Sequence, residues 1–147
     1  MEFVQKSAGT FLFFEDNGKP TTLLLMRAPD QIHPDQEEGP GGLVEPGETP
    51  YEAAIREIWE ETGLVVRLNK RFRSVIAYSP YEGVHKTVVF FLAKTKKKKL
   101  RLQKDEILNS VWLEYEDALK LLIHHDVGGV LYQAHTFLAE KARSSRS

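Results

Sequence analysis

The stretch that decides the fold of this chain is GLVEPGETPYEAAIREIWEETGL, residues 42–64. Its second half places three glutamates, Glu57, Glu60 and Glu61, within five positions. Like charges one helical turn apart repel each other by about 0.2–0.5 kcal/mol per pair. A helix with this sequence therefore needs either water around its carboxylates or a positive ligand among them.

Two capping signals define the ends of a helix within this stretch. Thr49 and Glu52 match a capping box, and Pro50 suits the first helical position. Gly63 suits the left-handed residue that ends a helix. The sequence therefore predicts a helix from about Pro50 to Thr62.

The predicted helix has two faces when residues are placed 100° apart. Glu57, Glu60 and Glu61 share one face, at positions i, i+3 and i+4. The apolar face is predicted to hold five residues: Tyr51, Ile55, Ile58, Trp59 and Thr62. A solvated acidic surface and a divalent cation site both fit this pattern, because carboxylates on adjacent turns supply the oxygen ligands that Mg²⁺ prefers. The glycines of residues 39–48 allow backbone to approach a ligand, which favours the cation site.

The rest of the chain predicts a mixed sheet covered by helices. Apolar and β-branched runs predict five strands: 7–14, 21–28, 72–78, 84–93 and 111–113. Asn17-Gly18 predicts a tight turn between the first two strands. Residues 29–42 hold three prolines and three glycines and are predicted to form a loop. Helical spacing of apolar residues predicts two more helices, over 116–124 and 129–141.

Length and composition limit the class of protein. A chain of 147 residues is expected to form a single domain over residues 1–147, with a disordered tail at 143–147. Twenty basic and twenty-one acidic residues give no overall attraction to nucleic acid or membranes. The absence of cysteine excludes disulfides and thiolate sites. The first nine residues do not match a signal peptide, so a soluble, cytoplasmic protein is expected.

A basic run, KTKKKKLR, occupies residues 94–101, with four consecutive lysines at 96–99. Such a run can attract polyanions. It can also be a solvated connection between two strands, which is the commoner role of a charge block. The favoured interpretation is the solvated connection.

Residues 42–64 resemble the Nudix box, G-x5-E-x7-R-E-U-x-E-E-x-G-U, where U is a bulky aliphatic residue. All nine specified positions are filled: Gly42, Glu48, Arg56, Glu57, Ile58, Glu60, Glu61, Gly63 and Leu64. The segments SAGTFLF (7–13) and VWLEYEDALKLL (111–122) also look like Nudix segments. The resemblance covers most of residues 7–138.

This resemblance implies a Nudix-type α/β/α sandwich with a mixed β-sheet. It implies hydrolysis of a nucleoside diphosphate linked to another moiety, with Mg²⁺ or Mn²⁺ as the cofactor. The implied metal ligands are three carboxylates and one carbonyl: Glu57, Glu60, Glu61 and Gly41. Arg56 and Glu48 are implied to hold the glutamates in place.

Two features resemble the asymmetrical diadenosine tetraphosphate hydrolases within that family. HKTVVFFLA (85–93) matches a segment that carries a phosphate-contacting lysine, and Glu106 matches a glutamate near the metals, six residues before Trp112. The alternatives are a surface lysine, a solvated carboxylate beside Asp105, and tyrosines that only pack. The predicted substrate contacts are Lys86, Tyr78, Tyr81 and Arg27.

One segment departs from that subfamily. Residues 37–42 read EEGPGG, where a tryptophan followed by Pro-Lys-Gly is usual, so Gly41 stands in place of the lysine. Pro-Gly-Gly is commoner in Nudix enzymes that act on nucleoside triphosphates or ADP-ribose.

Three functions therefore remain open. The leading hypothesis is asymmetrical cleavage of diadenosine tetraphosphate to ATP and AMP. The second is a pyrophosphatase for nucleoside triphosphates, ADP-ribose, nucleotide sugars or capped RNA 5′ ends. The third, a non-catalytic Nudix binding module, is disfavoured because no glutamate of the box is lost. The expected partner is a small nucleotide rather than a membrane or nucleic acid, capped RNA ends excepted, and the chain is expected to be a monomer or dimer.

Overall fold

The computed structural model describes residues 3–27, 37–122 and 125–144. Within these residues the chain forms a mixed sheet of seven strands: β1 (Phe3–Asp16), β2 (Lys19–Arg27), β3 (Glu37–Glu38), β4 (Gly41–Leu43), β5 (Ser74–Tyr81), β6 (Val84–Lys94) and β7 (Ile107–Leu113). The helices of the same residues are α1 (Pro50–Thr62), α2 (Tyr115–Leu121) and α3 (His125–Ser144). None of these helices combines the length and the apolar character needed to cross a membrane.

β1 is the central strand of the sheet. It pairs antiparallel with β2 and β4 and parallel with β6, while β5 pairs antiparallel with β6 at one side. At the other side, β2 pairs with β3 and β7. The predicted mixed sheet is confirmed.

Helices cover both faces of this sheet. Alternate residues of β1 enter two separate apolar cores, as the two-residue period of a strand requires. One core joins Ala8 and Leu12 to Ile58 of α1. The other joins Phe11 and Phe13 to the helical residues Ala118, Leu131 and Leu138. The predicted α/β/α sandwich is therefore confirmed.

The predicted turn between β1 and β2 and the predicted caps of α1 are both present in the structure. Asn17 and Gly18 adopt φ values of 52° and 83° between β1 and β2. At the start of α1, the Glu52 amide donates to the Thr49 hydroxyl at 3.1 Å, and the Thr49 amide donates to the Glu52 carboxylate at 3.0 Å. Gly63 ends the helix with φ at 75°. The predicted bounds of this helix are confirmed.

Two predictions that depended on strand pairing were wrong. The segment 29–42, predicted as a loop, contains β3 and most of β4, and its residues up to 36 lie outside the described part of the chain. β7 begins at Ile107, four residues before the predicted start. β4 and β7 form because they pair with strands that are distant in the sequence, β4 with β1 and β7 with β2. Local sequence does not encode such partners.

The end of the chain is more helical than predicted. α3 begins four residues early and includes Gly128 and Gly129. A Cβ on Gly128 would lie 2.9 Å from a methyl group of Leu119, so glycine allows α2 and α3 to approach closely. α3 also continues to Ser144, through the first two residues of the predicted tail, and residues 145–147 lie outside the described part.

The orientation of α1 corrects the predicted helix faces. Trp59, which the helical wheel places on the apolar side, is 50% exposed, whereas Glu61, predicted to lie on an open acidic face, is 1% exposed. The buried face of α1 consists of Ala53, Ala54, Ile58, Glu61 and Thr62. Small alanines let the helix lie close to the sheet, and this rotation directs Glu61 inward instead of Trp59.

Candidate active site

Two glycines of β4 allow α1 to bring its carboxylates against the sheet. A Cβ on Gly42 would lie 2.6 Å from an oxygen of Glu57, and a Cβ on Gly41 would lie 2.5 Å from the carbonyl oxygen of Ala8. The Gly41 contact is with backbone and leaves no room for a larger residue, whereas a larger residue at Gly42 would displace the Glu57 carboxylate. The glycines of this strand therefore create the space in which the glutamates of α1 meet the backbone.

Arg56 is the centre of the first cluster of charges. Its Nε and Nη2 donate to the two oxygens of Glu48 at 2.8 and 2.9 Å, a bidentate pair. Its Nη1 donates to Glu57 at 2.9 Å and to Glu60 at 3.3 Å. Hydrogen bonds from Arg56 and from the Glu45 amide lower the pKa of Glu48 to about 2. The structure thus brings together the box residues that the resemblance groups around Arg56.

Arg27 is the centre of a second, more buried cluster. Its Nη1 donates to Glu61 at 2.5 Å, its Nη2 donates to the Gly41 carbonyl at 2.8 Å, and its Nε donates to Glu38. The Gly41 amide donates to the other oxygen of Glu61 at 2.9 Å. Arg27, predicted as a substrate contact, therefore lies among the predicted metal ligands. No sequence pattern singles out Glu38, which the sequence analysis missed.

Burial sets the ionisation of the glutamates on this face. It raises the pKa of Glu61 to about 7, although the charge of Arg27 opposes the change. Burial also raises the pKa of Glu57, against the effect of Arg56. Both carboxylates are thus short of compensating positive charge.

The residue types of this site suit a hard divalent cation. Carboxylate oxygens of Glu57, Glu60 and Glu61 and the Gly41 carbonyl are the ligands that Mg²⁺ and Mn²⁺ prefer. Within the described residues, no three acidic or histidine side chains yet converge on one point. Guanidinium groups of Arg27 and Arg56 instead hold the oxygens of these glutamates. These oxygen ligands fit a divalent cation, provided that the guanidinium groups of Arg27 and Arg56 move away from the carboxylates.

Glu106 follows a tight turn beside the buried cluster. Asp105 adopts φ at 71°, and the next residue but one, Ile107, pairs with Arg27 across the sheet. The side chain of Glu106 is exposed and, within the described part of the chain, makes no ion pair or side-chain hydrogen bond. Its predicted catalytic role remains a prediction.

A pocket opens beside the glycines on the sheet face that α3 covers. Tyr78 and Lys86 are paired across β5 and β6 and line it together with the backbone of residues 39–42. Ser7 also lines it, and its hydroxyl, 3% exposed, has no hydrogen-bond partner among the described residues. Tyr81 belongs to β5, but its side chain lies outside the described part of the structure. The pocket thus joins two predicted substrate contacts to a predicted metal ligand, Gly41.

Comparison with known proteins identifies the family. The family model described as NUDIX domain matches residues 4–134. The bis(5′-nucleosyl)-tetraphosphatase [asymmetrical] of Caenorhabditis elegans is 31% identical over 139 residues, which is 92% of this chain and 98% of the relative. The Sus scrofa protein of the same name is 33% identical and covers 81% of this chain and 82% of its own.

A solved structure extends the similarity to three dimensions. The crystal structure of a C. elegans Ap4A hydrolase binary complex superimposes with a TM-score of 0.83 at 31% identity, covering 92% of this chain and 98% of that one. The match in sequence therefore extends to the fold. This chain belongs to the Nudix hydrolase family.

Proposed function

We propose that this protein cleaves dinucleoside polyphosphates asymmetrically, converting diadenosine tetraphosphate to ATP and AMP, with Mg²⁺ or Mn²⁺ as cofactor. The observation that carries the proposal is the continuity of two features at Gly41: the glutamate cluster on one side and the pocket with Lys86 and Tyr78 on the other. The relatives named asymmetrical tetraphosphatases support the same substrate class. Nudix hydrolases generally use divalent metals.

The protein side chains have separate tasks in this proposal. Glu57, Glu60 and Glu61 would hold the cation, which supplies neutralisation of phosphate charge and a bound water of lowered pKa. Arg56 orients two of these glutamates, and Glu48 fixes Arg56 by its bidentate pair. The three carboxylates of the proposed cation site thus lie within five residues of α1, and the backbone of Gly41 in β4 lies beside them.

The pocket would hold the substrate beside that site. The Lys86 ammonium can donate to phosphate oxygens, and a charge-assisted contact of this kind contributes about 1.5–3 kcal/mol. Tyr78 presents an aromatic ring on which a base can stack. The Ser7 hydroxyl, which lacks a partner among the described residues, can serve a polar edge of a bound nucleotide. A polyphosphate between two nucleosides uses all three features.

The experiment is a substrate panel with Mg²⁺, read by product identity. Diadenosine tetraphosphate, ADP-ribose, nucleoside triphosphates and a nucleotide sugar are compared at equal concentration by chromatography. The proposal expects the highest kcat/KM for the tetraphosphate, with ATP and AMP as products. Two molecules of ADP would contradict asymmetrical cleavage, and preference for another substrate would favour the second hypothesis of the sequence analysis.

Lys86 separates substrates that differ in phosphate number. Lys86→Ala is expected to lower kcat/KM for the tetraphosphate by at least about tenfold, because a charge-assisted contact is lost. The loss for ADP-ribose should be smaller, since two phosphates offer less charge. Lys94→Ala, at the exposed end of the same strand, is the matched control and should change neither substrate. Equal losses on both substrates would mean that Lys86 only positions a pyrophosphate.

A further inference from the structure

A second concave surface lies at the C-terminal end of α1, apart from the pocket of Lys86. The loop after β6 and the chain that follows α1 form its two walls. We call it the cationic groove, and its basic lining residues other than Lys98 are Arg67, Lys94, Lys96, Lys97, Lys99 and Arg101. None of the residues that line it, all within the described part of the chain, is acidic.

Most of these cations have no counter-ion in the part of the chain that the structure describes. Lys98 pairs with Asp16 at 3.3 Å. Among the described residues, none of Lys96, Lys97 and Lys99 forms an ion pair. The whole chain carries a net charge of only −1, so the positive charge is concentrated here rather than spread over the surface. Concentrated like charge repels itself unless an anion binds.

Hydrogen bonds fix the lysine run to the body of the protein. The Thr95 amide donates to the Phe13 carbonyl at 2.9 Å, and the Trp112 indole donates to the Lys98 carbonyl at 3.1 Å. The Arg101 amide donates to the carbonyl of Thr62, the last residue of α1, at 2.9 Å. The cationic groove is therefore preorganised, which reduces the entropy lost when a ligand binds.

An aromatic platform borders the cationic groove. Trp59 is 50% exposed, and the guanidinium carbon of Arg101 lies 5.7 Å from its ring centroid. An exposed indole beside a guanidinium provides a surface on which a nucleobase can stack. Trp59 lies between Glu57 and Glu60 along α1, so the platform is next to the carboxylate cluster in the sequence.

We propose that the cationic groove binds single-stranded nucleic acid, with the phosphodiester backbone along the lysines and a base on the Trp59–Arg101 platform. A positive channel with an aromatic platform is the combination that single strands use. A duplex presents no free base to the indole. Inorganic polyphosphate would complement the positive charge, but it has no base that could stack on Trp59. This site is additional to the proposed hydrolysis and does not depend on it.

Fluorescence anisotropy of a labelled single-stranded RNA of about 12 nucleotides, within the usual range of such sites, measures the binding. The triple substitution Lys96→Ala, Lys97→Ala and Lys99→Ala should weaken binding by at least about tenfold and reduce the slope of log K against log salt by about 2. The matched control removes three exposed lysines elsewhere: Lys19, Lys120 and Lys141. Equal weakening in both variants, or none in the first, would overturn the proposal.

Trp59 separates nucleic acid from a simple polyanion. Trp59→Ala should weaken RNA binding by at least about fivefold while leaving the affinity for inorganic polyphosphate unchanged. No effect on RNA would overturn the proposal in favour of a simple polyanion site. Hydrolysis of diadenosine tetraphosphate by the triple lysine variant should stay at the wild-type rate. RNA binding by the cationic groove and the proposed hydrolysis are therefore tested separately, and either proposal can be rejected without the other.

Discussion

Arg27 and Arg56 each hold a cluster of glutamates, yet the two clusters differ in burial. Arg56 lies on a partly exposed side of α1. Its hydrogen bonds lower the pKa of its partner Glu48 to about 2. Arg27 reaches inward to Glu61, whose pKa is raised to about 7 by burial. An arginine–glutamate pair is thus found with a lowered carboxyl pKa at Glu48 and with a raised carboxyl pKa at Glu61.

The difference teaches that proximity to an arginine does not by itself satisfy a carboxylate. Glu48 receives two hydrogen bonds from Arg56 and one from a backbone amide. Glu61 also receives hydrogen bonds from Arg27 and Gly41, but it has lost nearly all contact with water. Desolvation outweighs the ion pair there. The buried cluster is therefore the part of the site that gains most from added positive charge.

The largest expected effect is on turnover. Glu60→Gln or Glu61→Gln should lower kcat by two or more orders of magnitude, about 3 kcal/mol of transition-state stabilisation, because each removes the charge of a proposed metal ligand. Steady-state kinetics with Mg²⁺ checks this, and circular dichroism verifies the fold. Near-normal turnover in either variant would remove that glutamate from the cation site.

The second effect concerns stability and compares the two arginines directly. Arg27→Met should lower the free energy of unfolding by about 3 kcal/mol, because it leaves Glu61 buried without its cationic partner. Arg56→Met should cost less, since its glutamates keep more access to water. Urea denaturation in EDTA measures both. Equal losses would show that burial does not distinguish the clusters.

A third, smaller effect tests Glu106 against its neighbour. Glu106→Gln should reduce kcat by at least about tenfold if this carboxylate acts on the attacking water, whereas Asp105→Asn should change kcat little. Both side chains are exposed, so neither change should affect folding. If the two variants behave alike, the predicted role of Glu106 is wrong.

A fourth effect is a pH dependence of stability in metal-free protein. The pKa of Glu61 is raised from 4.5 to about 7, so its contribution to stability is complete below about pH 4.5 and is lost as pH rises through about 7. Glu61→Gln has no such proton to lose. Unfolding free energies of both proteins across this range should therefore diverge, with the variant gaining relative to wild type at higher pH. Parallel curves would contradict the raised pKa.

The sequence predicted what depends on neighbours along the chain and missed what depends on burial. Thr49, Glu52 and Gly63 specify α1 because caps act within one turn. The inward rotation of Glu61 could not be predicted, since a helical wheel places Trp59 on the apolar side and cannot show that alanines face the sheet. The Arg27–Glu38 contact joins β2 to β3, whose pairing no local pattern reveals. The Nudix box thus indicated which residues come into contact around Arg56. Only the fold shows that Glu61 is the buried carboxylate.

The proposed function requires a divalent cation to bind among Glu57, Glu60 and Glu61 of α1. Thermal unfolding with increasing Mg²⁺, in wild type and Glu61→Gln, tests it without relying on catalysis. Wild type should gain about 5–10 °C in Tm at a hundred times the Kd, since a ligand at that excess adds about 2.7 kcal/mol. Glu61→Gln should gain little, and Glu140→Gln, on the exposed face of α3, should respond like wild type. An equal shift in wild type and Glu61→Gln, or no shift in wild type, would contradict the account.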